Sequence, residues 1–118
     1  MKIKMPEFPK LTDDDFDDEG CICIEAEHPY FYSTIAVDGG YTKDDARYFL
    51  YGYIGPDWSY DDRIVASDDI FLDETRDGRI KRNSVKKAYK IVVRQLKERY
   101  RQWVEDHILE TKKKVEDI

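Results

Sequence analysis

From position 83 to position 114 the chain contains neither glycine nor proline. Apolar residues recur there at the i, i+3, i+4 spacing of one helix face: Val85, Ala88, Tyr89, Val92, Leu96, Tyr100, Trp103 and Val104, with His107 on the same stripe and Arg99 as its one interruption. Lys86, Lys90, Arg94, Lys97 and Arg101 fall off the stripe. Asn83 or Ser84 can accept the first free N–H groups, so the pattern predicts one helix over about 84–114. Such a helix is ~45 Å long at ~1.5 Å per residue, whereas a compact domain of about 100 residues has a radius of gyration near 13 Å. The distal half should therefore outreach the rest of the fold. Leu96, Tyr100, Trp103 and Val104 are expected to meet a second copy, most simply as an isologous dimer, or a higher homo-oligomer.

What precedes the helix reads as strands, within a sheet region of about 21–82. Cys21 to Ala26 alternates, and Tyr30 to Val37 is rich in β-branched and aromatic residues. The stretch 46–54 admits two readings. Thr42 with Asp45 resembles a capping box for a helix, but the composition of 47–54 favours a strand paired with 30–37, and Gly52 weakens a helix. Arg63 to Ala66 forms a further short strand. Asp77-Gly78 joins 70–75 to 79–81 as a hairpin, since glycine accepts positive φ. The expected class is α+β: an antiparallel meander of about four to six strands on one long C-terminal helix.

Charge divides the chain. Residues 1–77 hold 20 acids against 7 bases, and residues 78–118 hold 6 acids against 13 bases, under a total of −6. Residues 1–20 contain Pro6, Pro9 and five aspartates between 13 and 18. They are expected as a flexible acidic arm that docks, if at all, on a basic partner or on the chain's own basic helix. At 118 residues, with no apolar run near 18 residues and no leader-like start, the chain reads as one domain of a cytoplasmic protein without membrane contact.

Few residues assemble into known chemistry. Cys21, Cys23 and His28 give C-x-C-x4-H without a second ligand pair, so the thiols are expected to be buried and no metal or cofactor is assigned. Asp57, Asp61, Asp62, Asp68, Asp69 and Asp73 crowd 17 residues and could serve a metal-dependent hydrolase. No phosphate loop, dinucleotide fingerprint or nucleophile elbow occurs, and no catalytic residue is assigned. Arg79, Lys81, Arg82, Lys86 and Lys87 gather at the helix start, where an oligomeric protein could hold a small anion such as a nucleotide. Direct nucleic-acid binding is disfavoured, because a net −13 lies beside these cations. The leading expectation is a non-catalytic binding or inhibitor protein. Asp57, Trp58, Tyr60, Asp61 and Asp62 would face a basic protein, a nucleic-acid-binding one included, with aromatic anchors beside acids. In size, acidity and lack of enzyme motifs the chain is similar in style to phage- or mobile-element-encoded accessory proteins.

Overall fold

A computed structural model describes residues 4–39, 48–59, 61–67 and 70–116. The readings placed on Thr42 and Asp45, on Tyr60, and on Asp68 and Asp69 lie outside them. Four antiparallel strands run in sequence order: β1 Cys23–Ile24, β2 Phe31–Gly39, β3 Tyr48–Pro56 and β4 Ile64–Val65. Two helices follow, α1 Arg82–Asp106 and α2 Ile108–Glu116. The class is α+β, a four-stranded meander against a C-terminal helix.

β2 and β3 form the centre, paired from Phe31 opposite Pro56 to Gly39 opposite Tyr48. From Tyr48 to Ile54 the strand reading is the right one, and residues 46 and 47 lie outside the described residues. Successive side chains alternate between faces, so Phe31, Ser33, Ile35, Leu50, Gly52 and Ile54 turn to one side. There they meet Val85, Val92 and Leu96 of α1, all buried. Gly52 makes the approach possible. A Cβ built on it would lie 2.5 Å from Val92 Cγ1 and 3.2 Å from Leu96 Cδ1. Beyond β4, residues 70–72 continue the pairing with β3: Leu50 N–H donates to the Ile70 carbonyl at 2.9 Å, and Leu72 N–H to that of Tyr48 at 3.0 Å. The turn at Asp77-Gly78 closes as its sequence predicts, with Gly78 at φ +79° and Glu74 bridged to Ile80.

The helix departs from expectation in three ways. It begins at Arg82 rather than 84, because Ser84 turns back and donates its hydroxyl to the Lys81 carbonyl at 2.8 Å. It also breaks at His107, whose main-chain N–H and Nδ1 both reach the Trp103 carbonyl, at 3.0 and 2.8 Å. The imidazole stacks on the Trp103 indole, with ring centres 4.4 Å apart. Third, Leu96 and Tyr100 are not an interface with a second copy. Leu96 is fully buried and Tyr100 is 5% exposed, packed edge-on against Phe31. The sheet reaches further beneath the helix than the sequence implies. A nine-residue strand is ~30 Å long at ~3.4 Å per residue, while Val85 to Tyr100 spans ~22 Å of helix. Trp103 and Val104 are partly buried on the same core, and the large apolar side chains left exposed distally are Ile108 and Leu109.

The acidic arm also needs correction, since residues 4–20 lie along the domain. Pro6 is fully buried and Phe16 is 8% exposed, with Met5, Phe8 and Leu11 packed on the core. The aspartates are used one by one instead of repelling as a block. Asp15 accepts the Thr12 N–H at 2.7 Å. Asp17 Oδ1 accepts the N–H groups of Glu19 and Cys21, each at 2.9 Å. Asp13 lies 3.8 Å from Arg82 and 3.6 Å from Lys86. Gly20, at φ +87°, lets the chain pass against the Ile80 backbone, where Ile80 N–H donates to the Glu19 carbonyl at 3.1 Å. At the other end, Tyr30 N–H donates to His28 Nδ1. That leaves His28 Nε2 to carry the proton it donates to the Lys4 carbonyl, at 2.6 Å.

Two outcomes follow from this packing. Gly52→Val should lower unfolding free energy by roughly 2–3 kcal/mol in urea, because the added methyls drive α1 off the sheet. Phe16→Ala should cost about 3 kcal/mol, whereas Asp13→Ala should cost under about 1 kcal/mol, its ion pairs being exposed; comparing the two by chemical denaturation separates apolar anchoring from charge.

Candidate functional site: the open face of the sheet

The pleat that buries one side of β2 and β3 exposes the other. Tyr32, Thr34, Ala36 and Asp38 of β2 and Phe49, Tyr51, Tyr53 and Gly55 of β3 point away from α1, in the register set by the Thr34–Tyr53 and Ala36–Tyr51 pairs. Cys23 joins this face from β1, opposite Ala36, and Val65 joins it from β4, opposite Tyr53. Phe71 bridges to Phe49 at the margin. Val65 is 52% and Phe71 37% exposed, and the tyrosines are half-buried.

The aromatic side chains hold one another in place. Tyr51 and Tyr53, two residues apart on one strand, stack with centroids 6.3 Å apart and planes 13° from parallel. Tyr32 meets Tyr53 edge-on at 6.0 Å. Gly55, opposite Tyr32, leaves the space that the Tyr32 ring fills, since a Cβ there would strike the phenol. The Arg63 guanidinium lies 5.1 Å from the centre of the Tyr53 ring, within range of cation–π attraction. Arg99 reaches from α1 round the sheet edge and donates to the Val65 carbonyl. Between them runs a shallow groove lined by Tyr51, Tyr53, Arg63, Val65, Ser67 and Arg99. Burial, then the neighbouring Tyr53, Cys23 and Asp38, push the Tyr51 hydroxyl above the ordinary tyrosine value, so it stays protonated and can donate.

Carboxylates border this surface. Asp38 stands at one end. Asp57, Asp61 and Asp62 are exposed where the chain leaves β3, and Asp62 accepts the Ser59 hydroxyl at 2.8 Å. Glu25 is exposed just past β1.

The residues singled out from sequence are distributed differently. Trp58 does not join Asp57, Asp61 and Asp62 on the surface. It packs edge-on against Phe31 at 5.6 Å, and its Nε1 is buried without a hydrogen-bond partner. The other aromatic neighbours of Phe31 are His28, Tyr100 and Trp103. Arg82 and Lys86, in the alternative anion site, lie over the Phe16 ring, at 5.1 and 6.0 Å, and face Asp13. Asp17 and Asp18 line the same depression as Arg79, Lys81 and Arg82. The chain's own carboxylates therefore hold the ground that a nucleotide phosphate would need. Among the described residues no three His, Cys, Asp or Glu side chains gather closely enough to hold a metal ion, Asp57, Asp61, Asp62 and Asp73 included, while Asp68 and Asp69 of that cluster lie outside them. Nor are the thiols buried as expected: Cys21 is half-buried and Cys23 exposed.

Tyr32, Phe49, Val65, Phe71, Arg63 and Arg99 were missed as members of this surface. A strict period-two reading of 31–39 and 48–56 contains the signal, since Tyr32 and Thr34 alternate with buried positions, as do Phe49, Tyr51 and Tyr53. No helix among the described residues is long and apolar enough to cross a membrane. Comparison with family models, with curated proteins and with solved structures finds no match.

The two cysteines provide a test of this environment. Burial, then Asp17 and Glu19, raise the Cys21 thiol above its ordinary value of 9.0. The thiolate is the reactive form, so Cys21 alkylation should keep climbing as pH passes 9.0. Iodoacetamide at pH 8 should label Cys23 first, as read by peptide mass spectrometry; preferential labelling of Cys21 would contradict the arrangement.

Proposed function

We propose that this is a non-catalytic binding protein whose tyrosine-lined sheet face takes a basic, arginine-bearing protein partner. The observation that supports the reading is an aromatic face, uncovered among the described residues, with exposed carboxylates around it. Tyrosine and phenylalanine supply contact area at small cost in side-chain entropy. Acids at the rim steer a cationic partner and reject an anionic one. Arg63 over Tyr53 is an intrachain example of the contact that a partner arginine would make over Tyr51 or Tyr32. Asp57, Asp61 and Asp62 keep their place in this reading as rim charges, while Trp58 passes from contact residue to support.

The partner's own business with nucleic acid is a natural target. A protein that covers arginines through tyrosines and carboxylates competes with phosphates for them, which is the action of an inhibitor. The nucleotide reading at the helix start is weaker, because Asp13, Asp17 and Asp18 share that ground.

An arginine-rich peptide and its lysine counterpart, titrated by fluorescence anisotropy, probe this face. The arginine peptide should bind more tightly, and binding should fall with salt. Tyr51→Ala with Tyr53→Ala should weaken it roughly tenfold, and Asp61→Lys with Asp62→Lys should weaken it further, both with unchanged circular dichroism. Equal affinity of the wild type and the double tyrosine variant would remove the face from consideration.

A further inference from the structure

The outer side of α1 carries a second surface that the sheet-face reading does not use. Lys87, Lys90, Arg94, Lys97 and Arg101 are all exposed. Their spacings of three, four, three and four residues keep them within a sector of about 80° at ~100° per residue, opposite Val85, Val92 and Leu96. The line is ~21 Å long at ~1.5 Å per residue. None of the five makes an ion pair among the described residues, in contrast to Arg82 and Lys86, which face Asp13. Glu98, at its edge, and Glu105, in line with it one turn past Arg101, are exposed, and neither reaches the cations closely enough to pair among the described residues. Each successive pair of like charges at i, i+3 or i, i+4 opposes helix formation, and only Glu98, four residues after Arg94 and three before Arg101, and Glu105, four after Arg101, offset part of that repulsion.

We infer that this stripe docks the phosphate backbone of duplex nucleic acid, by charge and without reading base sequence. Two features select that occupant. The stripe holds no aromatic residue; of the apolar residues beside it on α1, Ile91 is 37% exposed at one edge, while Val93 and Val104 at the other are partly buried on the core. A protein interface without anchors binds poorly, whereas a phosphodiester backbone is held by cations alone, with about one charge per 1.7 Å of duplex. The length also fits, since ~21 Å covers about six base-pair steps at ~3.4 Å each. The sequence argument against nucleic acid set the acids beside the cations. In the fold, Asp38, Asp57, Asp61 and Asp62 belong to the sheet and its loops, with α1 lying between the sheet and the stripe. A helix is about 10–12 Å thick, close to the Debye length of about 10 Å at 0.1 M salt, so most of that repulsion is screened.

The test uses the full chain and a fluorescent 20-base-pair duplex, titrated by anisotropy across a salt series. Binding should be independent of duplex sequence. The logarithm of the binding constant should fall against log salt with a slope of about −4 to −5, as for five phosphate contacts. Arg94→Gln with Lys97→Gln should reduce that slope by about two while circular dichroism and the arginine-peptide affinity of the sheet face stay unchanged. Arg79→Gln, off the stripe, should leave the slope as it is. A flat salt response, a slope indifferent to Arg94 and Lys97, or polyglutamate binding in preference to the duplex would each overturn the inference.

Discussion

Gly52 sits in the middle of β3 with its absent side chain turned toward Val92 and Leu96, and the rest of the molecule is arranged around that contact. A helix and a sheet bury their apolar faces well only where backbone and side chains interdigitate at close-packed density. Removing one side chain from the sheet lets a whole helical turn descend onto it. Once α1 is seated there, Ile35, Leu50 and Ile54 are sealed below it, and Leu96 with Tyr100 is drawn into the same core. Among the described residues, the opposite face of β2 and β3 is then left without a layer of its own. The open tyrosine surface is thus a consequence of where the single helix went.

The N-terminal segment completes what the helix leaves uncovered. Phe16 and Pro6 add apolar area to a small core, and the acids around them serve as local hydrogen-bond acceptors and as counter-charges for Arg82 and Lys86. This takes up part of the charge asymmetry between the two halves of the chain. Among the described residues most of the remainder is sorted by side: aromatic residues with Asp38, Asp57, Asp61 and Asp62 on the sheet and its loops, and five cations that make no ion pair on the outer helix. A molecule of net charge −6 can in this way present two surfaces of opposite character.

At the far end, aromatic packing decides the outline. Phe31 gathers His28, Trp58, Tyr100 and Trp103 in edge-on contacts with centroids between 5.2 and 6.0 Å. His107 stacks on Trp103, and its ring nitrogen captures the Trp103 carbonyl that a continuing helix would share less crowdedly. The helix therefore stops and restarts without a glycine or proline to mark the place. Both histidines of the chain lie in this cluster, and each is used for packing and main-chain hydrogen bonds.

The α+β class, the pairing of 30–37 with 47–54, the turn at Gly78 and the amphipathic helix were legible from the sequence, because each rests on local periodicity and turn chemistry. Four cations of the outer stripe, Lys90, Arg94, Lys97 and Arg101, were legible too, as residues off the apolar face, whereas Lys87 reads in sequence as part of the cluster at the helix start. Three matters were settled by tertiary structure. Whether aspartates 13–18 repel or cap depends on N–H groups and cations brought to them by distant segments, so the arm could not be judged by composition. Whether Trp58 or Tyr53 faces solvent depends on which side of β3 the helix covers, and alternation alone is symmetric between the two sides. Whether Leu96 and Tyr100 need a second copy depends on how far the sheet extends beneath the helix, a length set by strand register. Periodicity specifies which residues share a face; the layer that the face meets is chosen by packing, since burial energy depends on contacts between residues far apart in the chain.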